Sequence, residues 1–408
     1  MMKPRGTCLK CFMKLNRNEF TTAFAFALDF LEMELRDDTS SHNKRTGLIA
    51  AQIGKAMGLC EDDIFDLSTY AMLHDNGITH ECYNVLSEDG HNHLDCTMSH
   101  CLRGERNLAA YPFLQVRENV IKFHHEAYDG SGPFGISGDD IPLFSQIIAI
   151  SEPLEIAYSS GESKDDIICG IAGESGRKYS PVLVQAFNSI AETVSFWLSL
   201  DLRFIDSEIK RHIPTRSIEI DLEQLLPISE IMSGIIDSKS PFTADHSKGL
   251  AEKTAVMCDH YGFSKSKKIK MIIAADLHDI GKLAIPNCII DKTGKLTEPE
   301  FSQIKTHAFY TRKIIESVQG FEDIAEWASN HHEKLDGTGY PFGFTAKDLC
   351  FESRMIGCLD IYQALTEERP YRKSLCHDEA CTILDDMVKN NKVCRDITAD
   401  LQKVLHLK

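Results

Sequence analysis

The sequence predicts an all-α protein made of two tandem helical domains, and three observations lead to that prediction. The chain has 408 residues, more than one ordinary hydrophobic core holds, which favours two domains. Apolar residues recur at helical spacing, whereas few stretches alternate with the period of a strand. A set of seven histidine and carboxylate residues occurs twice in the same order, which indicates an internal duplication.

The duplicated residues all have side chains that bind metal ions, and their spacing is nearly constant. The offset is 204 for three pairs (246−42, 278−74, 279−75), 207 for three more (307−100, 331−124, 332−125) and 208 for the last (360−152). A duplicated domain with two changes of loop length leaves such a pattern. The first copy comprises His42, His74, Asp75, His100, His124, His125 and Glu152, and the second comprises His246, His278, Asp279, His307, His331, His332 and Asp360.

Helical periodicity and composition predict the domain boundaries. Apolar stripes run into the histidine pairs of both halves, and one of them, Val116, Val120 and Ile121, leads to His124 in the first half. A charged, proline-containing stretch separates the halves and is the predicted linker. The predicted units are a first domain over 19–202, a linker over 203–226 and a second domain over 227–408 that ends in a helical extension.

Charge and cysteine usage limit the classes of partner. The net charge of −17 argues against a nucleic-acid polymer, but a small anionic ligand held by metal ions stays compatible. The apolar stretch 20–33 contains Asp29 and Glu32, so no membrane span is expected. The 14 cysteines are scattered and no secretory leader is recognised, so we expect a cytoplasmic protein with reduced thiols. The lone pair Cys8 and Cys11 is interpreted as part of a tail.

The adjacent pair His278 and Asp279 suggests a centre with two metal ions. Neighbouring helical residues point about 100° apart, so the pair serves two ions only if one side chain bridges, as a carboxylate can. Taken singly, each residue is more simply a hydrogen-bonded core histidine or a helix cap, but two copies in register favour metal binding. We expect His246, His278 and Asp360 at one ion and His307, His331 and His332 at the other, with Asp279 between them.

The second copy resembles a known family. The run His278-Asp279-Ile280-Gly281-Lys282 resembles the signature of HD phosphohydrolases, residues 331–341 resemble the extended signature of the HD-GYP subfamily, and 360–365 with 369–372 resemble its closing segment. This resemblance implies two tandem HD-type helical domains, a binuclear iron or manganese centre, and hydrolysis of a cyclic dinucleotide such as c-di-GMP or 3′3′-cGAMP. Two neighbouring ions lower the pKa of a bridging water, which supplies hydroxide near neutral pH.

The motifs also indicate residues for catalysis and substrate binding. We expect His278, Asp279 and Lys282 in catalysis, and we expect substrate contacts from Lys282, Gly337, Gly339, Tyr340, Arg369 and Arg372. For Lys282 the alternative is a solvated lysine, for Tyr340 a packing role, and for the two arginines a tether of the loop. Some family members bind a third metal through a glutamate one turn before the first histidine. Phe242 stands there, so we expect two divalent ions, of Fe, Mn or Ni, in the second domain.

The first copy keeps the ligand types but lacks other features of the motif. Ile78 replaces Lys282, and Glu152 replaces Asp360. In the loop after His125, no tyrosine stands between Gly132 and Pro133, where the second copy has Tyr340. We therefore expect this domain to bind metal but to be weakly catalytic or silent, with a regulatory or structural role. Asp38, one turn before His42, favours a metal there. The cluster of His91, His93, Cys96 and His100 has zinc-like spacing, although a polar loop is the simpler interpretation.

Three functions follow as hypotheses. The first is a metal-dependent cyclic-dinucleotide phosphodiesterase, with the choice between 3′3′-cGAMP and c-di-GMP open and the tandem layout favouring the hybrid nucleotide. The second is another nucleotide phosphohydrolase of the HD superfamily. The third is a module that senses cyclic dinucleotides without turnover. A homodimer is also compatible with the sequence.

Overall fold

The computed structural model describes residues 11–36, 41–79, 93–240, 246–368 and 373–406. These residues contain eighteen α-helices and a single pair of short strands, so the predicted all-α class is confirmed. Among these residues, no helix has the length and apolar character that crossing a membrane requires.

The chain divides into two compact units. The first unit contains residues 17–216, and the second contains residues 217 onward together with a strand that precedes residue 17. The division falls inside the stretch 203–226, which contributes a helix to the first unit and a strand to the second. The boundaries 19–202 and 227–408 stay predictions of the sequence.

The regular elements in the described part of the first unit are helices. Its helices are α1 (Arg17–Arg36), α2 (His42–Ala56), α3 (Glu61–Met72), α4 (His93–Leu108), α5 (Leu143–Ser159), α6 (Lys164–Gly173), α7 (Pro181–Ala191), α8 (Val194–Ser199) and α9 (Ile205–His212). Its core lies around α2, which is buried along almost its whole length and packs on α3 and α5.

One element of the first unit differs from the sequence prediction. Residues 118–125 form turns rather than the end of a helical stripe, and Val116 is exposed although Val120 and Ile121 are buried. The physical reason is the Glu105 carboxylate of α4. It accepts the backbone N–H groups of residues 119, 121 and 122 at 2.5, 2.7 and 3.1 Å, and so replaces helical acceptors.

The second unit combines a helical core with one small antiparallel sheet. Its elements are β1 (Phe12–Asn16), β2 (Ser217–Asp221), α10 (Leu226–Ser238), α11 (His246–His260), α12 (Lys265–Leu277), α13 (Asn287–Ile290), α14 (Glu298–Glu316), α15 (Glu322–Ser329), α16 (Phe351–Thr366), α17 (His377–Lys389) and α18 (Arg395–Leu405). In the sheet, Phe12 pairs with Asp221 and Asn16 with Ser217. The core is centred on α12, which packs against α10, α11 and α15.

Local sequence fixes where the helices of the second unit begin. Ser264 accepts the N–H of Lys267 at the start of α12. Thr297 and Glu300 cap α14 reciprocally, with the Glu300 carboxylate accepting the Thr297 N–H at 2.6 Å. Because their starts are fixed, the ends of these helices bring defined residues to the core.

A glycine brings the short segment that follows α12 into close contact with α14. A Cβ atom at Gly281 would lie 2.0 Å from the carbonyl oxygen of His307, so only glycine fits at this position. Thr311 of α14 completes the contact, because its hydroxyl donates to the His278 carbonyl at 2.9 Å and accepts the Gly281 N–H at 3.1 Å. Gly77 repeats the close approach in the first unit, 2.1 Å from the His100 carbonyl oxygen.

Candidate metal centre

Five helices of the second unit bring the seven predicted ligands together. Six of these side chains are buried and His332 is half-buried. The residues are His246 at the start of α11, His278 and Asp279 after α12, His307 in α14, His331 and His332 after α15, and Asp360 in α16.

Backbone contacts orient three of the imidazoles. The Nδ1 atoms of His278, His307 and His331 lie 2.7, 2.6 and 2.6 Å from the backbone carbonyl oxygen three residues earlier. A carbonyl only accepts, so each Nδ1 carries the proton and donates it. Each Nε2 therefore faces the centre, and where the ring is neutral it presents a lone pair there, which is the arrangement of a histidine that ligates a metal.

Two of these lone pairs face each other. His307 Nε2 lies 3.3 Å from His331 Nε2, although neither nitrogen has a proton to share in this tautomer. Tetrahedral bonds of about 2.0 to 2.1 Å to nitrogen separate two ligand atoms by about 3.3 Å. The donor set therefore fits a cation, which removes the repulsion between the two nitrogens.

The Asp279 carboxylate lies between two groups of ligands. Its Oδ2 is 3.0 Å from His278 Nε2, and its Oδ1 is 3.4 Å from His307 Nε2 and 3.7 Å from His331 Nε2. Burial opposes its ionisation, but the neighbouring His278 and Lys282 outweigh burial and hold the pKa of Asp279 well below its usual range. An ionised carboxylate with one oxygen toward each group is suited to bridging two cations.

The ligand atoms form two clusters. Those of His246, His278 and Asp360 lie within 4.8 Å of one another, and so do those of His307, His331 and His332. Burial lowers the pKa of His307 to about 4 and that of His331 to about 3, so both rings are neutral at physiological pH. These clusters agree with the division between two ions that the sequence suggests, and the assignment of ligands to ions stays a prediction.

Glu367 is a participant that the sequence did not indicate. Its Oε2 accepts from His246 Nδ1 at 2.8 Å, while His246 Nε2 lies 3.1 Å from Asp360. Although burial acts to lower it, these two carboxylates raise the pKa of His246 to about 9. Glu367 thus fixes the His246 ring with Nε2 toward the cluster, as an outer-shell carboxylate does in metal sites.

Replacing Glu367 with glutamine should weaken metal binding. The amide is a poorer acceptor than the carboxylate, so we expect metal affinity to fall by roughly 10- to 100-fold. Titration of the metal-free protein with Mn²⁺ or Co²⁺ measures this change. Glu368→Gln is the matched control because Glu368 is exposed. Equal affinities of the two variants would contradict a role for Glu367.

A glutamate clamps the loop that follows each histidine pair. Glu333 accepts the N–H groups of Phe342 and Phe344 at 2.7 and 3.0 Å. In the first unit Glu126 accepts those of residues 134 and 136 at 2.6 and 2.8 Å. The clamp draws the loop against the histidine pair, and a Cβ atom at Gly339 would lie 2.4 Å from the Cα atom of Glu333.

The predicted substrate residues of this loop lie beside the clusters. The ring of Tyr340 packs on His332 with centroids 4.7 Å apart, and Gly337 has a φ of +77°, a conformation that favours glycine. Lys282 Nζ contacts Asp279 Oδ2 at 2.5 Å and is partly exposed. The predicted residues Arg369 and Arg372, and the position of Phe242, lie outside the described residues.

The first unit brings its own copy of the set together. His42, His74 and Glu152 have ligand atoms within 4.8 Å of one another, and a second cluster contains His100, His124 and His125 with Cys101. Asp75 Oδ1 lies 3.6 Å from His100 Nε2. Ile78, at the position of Lys282, is buried.

Two further contacts of the first unit bear on the sequence predictions. Glu155 accepts from both His42 and Arg45, which orients the His42 ring as Glu367 orients His246. Of the zinc-like cluster, the structure describes the side chains of Cys96 and His100 only, and His100 groups with Cys101, His124 and His125. Asp38, His91 and the side chain of His93 lie outside the described residues.

A helical core that holds buried clusters of histidine and aspartate defines a class of metal-binding helical domain. The chain belongs to the HD domain family, whose model matches residues 29–164 and 230–397, so both copies are members.

Relatives of known activity extend this comparison. The chain is 28% identical to "3′3′-cGAMP-specific phosphodiesterase 1" of Vibrio cholerae, over 85% of this chain and 83% of that protein. It is 33% identical to "3′3′-cGAMP-specific phosphodiesterase 3" of the same organism, over 75% of this chain and 67% of that protein. The crystal structure of a cyclic GMP-AMP specific phosphodiesterase of V. cholerae, V-cGAP3, superposes with a TM-score of 0.69 at 25% identity and covers 97% of this chain and 99% of that one.

Proposed function

We propose that the protein is a metal-dependent phosphodiesterase that hydrolyses a cyclic dinucleotide, with 3′3′-cGAMP as the preferred substrate. The observation that carries the proposal is the Asp279 carboxylate between two clusters of histidine nitrogens, with Lys282 beside it. The two relatives named above, which are 3′3′-cGAMP-specific phosphodiesterases by name, support the choice of substrate.

The cofactor we propose is a pair of divalent ions of Fe, Mn or Ni. Nitrogen and oxygen donors suit all three metals, and the seven side chains of the second unit would hold the pair. When bound, such ions lower the pKa of a coordinated water and offset the charge of a phosphate. The protein contributes the neutral imidazoles of His307 and His331, an ionised bridging carboxylate and a buried setting in which electrostatic interactions are strong.

Lys282 and the clamped loop would receive the substrate. The ammonium of Lys282 is partly exposed and points at the Asp279 carboxylate, so it lies beside any phosphate held over the clusters. There it would stabilise negative charge on the phosphate oxygens. Tyr340 covers His332 and so shapes the wall of the site. Arg369 and Arg372 stay predicted substrate contacts.

Catalysis is proposed for the second unit alone. In the first unit a buried isoleucine, Ile78, stands where Lys282 provides a cation, and no tyrosine stands between Gly132 and Pro133. The first unit would therefore bind metal without turning over substrate. Action in the cytoplasm and a homodimer stay predictions of the sequence.

A substrate panel tests the proposed activity. The metal-free full chain is reconstituted separately with Mn²⁺, Fe²⁺ and Ni²⁺ and given 3′3′-cGAMP, c-di-GMP, a linear dinucleotide and deoxynucleoside triphosphates. We expect metal-dependent cleavage of 3′3′-cGAMP, with slower or no cleavage of c-di-GMP. Faster cleavage of c-di-GMP would overturn the substrate preference, and cleavage of triphosphates alone would support the alternative of a nucleotide phosphohydrolase. If the protein binds a cyclic dinucleotide but none of the three metals gives turnover, the result would support the alternative of a sensing module.

A further inference from the structure

We propose that the first unit holds a zinc ion in a site where the Cys101 thiolate is a ligand beside the imidazoles of His100 and His125. Such a site would differ in chemistry from the nitrogen and oxygen centre of the second unit. The inference concerns the first unit only and is independent of the proposed catalytic activity.

The geometry around Cys101 carries this proposal. Cys101 Sγ lies 3.7 Å from His100 Nε2, and His100 Nε2 lies 3.2 Å from His125 Nε2. In a tetrahedral zinc site, bonds of about 2.3 Å to sulfur and about 2.0 to 2.1 Å to nitrogen place S and N about 3.6 Å apart and two N atoms about 3.3 Å apart. The observed S–N and N–N distances agree with these two values to within about 0.2 Å.

The surroundings favour a cation rather than a simple packing role for the thiol. Cys101 is fully buried in a cluster of imidazoles, with the Asp75 carboxylate 3.6 Å from His100 Nε2. His124 donates its Nδ1–H to a backbone carbonyl at 2.6 Å, so its Nε2 bears a lone pair. This Nε2 is buried and makes no hydrogen bond to any residue that the structure describes. A buried lone pair without a partner is costly unless an ion satisfies it.

His124 also borders the sulfur. Its Nδ1 lies 3.7 Å from Cys101 Sγ, and the Nδ1–H is donated to the Ile121 carbonyl oxygen at 2.6 Å. The sulfur is therefore bordered by an N–H group rather than by a second lone pair. Binding of the ion releases the thiol proton, since the thiolate is the form that ligates.

The position of Cys101 explains why the two units would take different metals. With the offset of 207 that relates His100 to His307 (307−100), Cys101 corresponds to residue 308 (101+207), which is alanine. The second unit therefore has no thiol at this position, and its donors are nitrogen and oxygen. Thiolate ligands favour zinc over manganese, whereas nitrogen and oxygen donors suit Fe, Mn or Ni.

Cobalt substitution of the full chain tests the proposal. Co²⁺ replaces Zn²⁺ in tetrahedral sites and gives an intense near-ultraviolet charge-transfer band when a thiolate ligates it. We expect this band in the metal-free protein titrated with Co²⁺, and we expect Zn²⁺ to abolish it. Cys101→Ala should remove the band and lower the bound zinc by one ion per chain, whereas Cys258→Ala, a matched change of a buried cysteine in α11, should keep both.

The outcomes separate this site from the alternatives. Absence of the band in the unaltered protein overturns the proposal, and so does a band of equal intensity in Cys101→Ala. If Cys101→Ala does not fold, Cys101→Ser keeps the size of the side chain and serves as the second variant. A band that survives in Cys101→Ser overturns the proposal as well, whereas its loss together with weaker zinc binding supports it.

Discussion

Replacing Asp279 with asparagine is expected to abolish metal-dependent hydrolysis. The amide keeps the size of the side chain but loses the charge and one of the two oxygens that face the clusters, at 3.0 Å from His278 and 3.4 Å from His307. Loss of an outer-shell partner lowers affinity or activity by roughly 10- to 100-fold, and loss of a bridging ligand should exceed that range. The measurement is kcat/KM for 3′3′-cGAMP at saturating Mn²⁺, together with the metal content of the purified variant.

Asp75→Asn is the matched control, because it makes the same change at the corresponding position of the first unit. If catalysis belongs to the second unit alone, Asp75→Asn retains turnover while Asp279→Asn loses it. The reverse result would move catalysis to the first unit. Turnover by Asp279→Asn at the unaltered rate would contradict a bridging role for this carboxylate.

Replacing Lys282 with methionine is expected to give the second largest loss. Methionine keeps a long flexible chain but removes the ammonium that lies 2.5 Å from Asp279 Oδ2. If the ammonium stabilises charge on the phosphate in the transition state, kcat should fall by roughly 100- to 1,000-fold, as on removal of one oxyanion donor. Because Lys282 is not one of the clustered ligands, metal content should stay unchanged.

The two measurements on Lys282→Met distinguish its possible roles. A loss of kcat with full metal content indicates contact with the substrate, whereas a loss of metal affinity with unchanged kcat would show that Lys282 only compensates the charge of Asp279. Lys292→Met is the matched control, since Lys292 forms an ion pair with Glu300 at 2.6 Å away from the clusters. We expect the activity of this control to be that of the unaltered protein.

The clustered histidine and carboxylate residues could be predicted because both copies have them in register. A comparison of the two copies cannot indicate functional residues in which the copies differ. The carboxylates that orient the first histidine show this limit, because Glu155 corresponds to Gln363 (155+208) and Glu367 to Ser159 (367−208). The same contact is made by Glu155 from within α5 and by Glu367 from the residue that follows α16, and only the folded chain reveals it.

Local physical chemistry accounts for the other differences from the sequence prediction. The turns at residues 118–125 depend on the carboxylate of Glu105, which is more than ten residues away, so apolar spacing alone could not indicate them. Cys101 follows the predicted ligand His100 directly, but a single cysteine carries no spacing signal. Its relation to the cluster depends on the packing of α4 against the turn that holds His124 and His125.

The glutamate clamp has a consequence for how such a protein can diversify. Glu333 and Glu126 hold corresponding backbone groups, since 342 and 344 match 134 and 136 at an offset of 208, although the second loop is one residue longer. The additional residue, Tyr340, is accommodated inside the clamp and packs on His332. The loop can therefore change by one residue while each unit keeps its cluster of histidines, so the wall of the site and the clustered side chains need not change together.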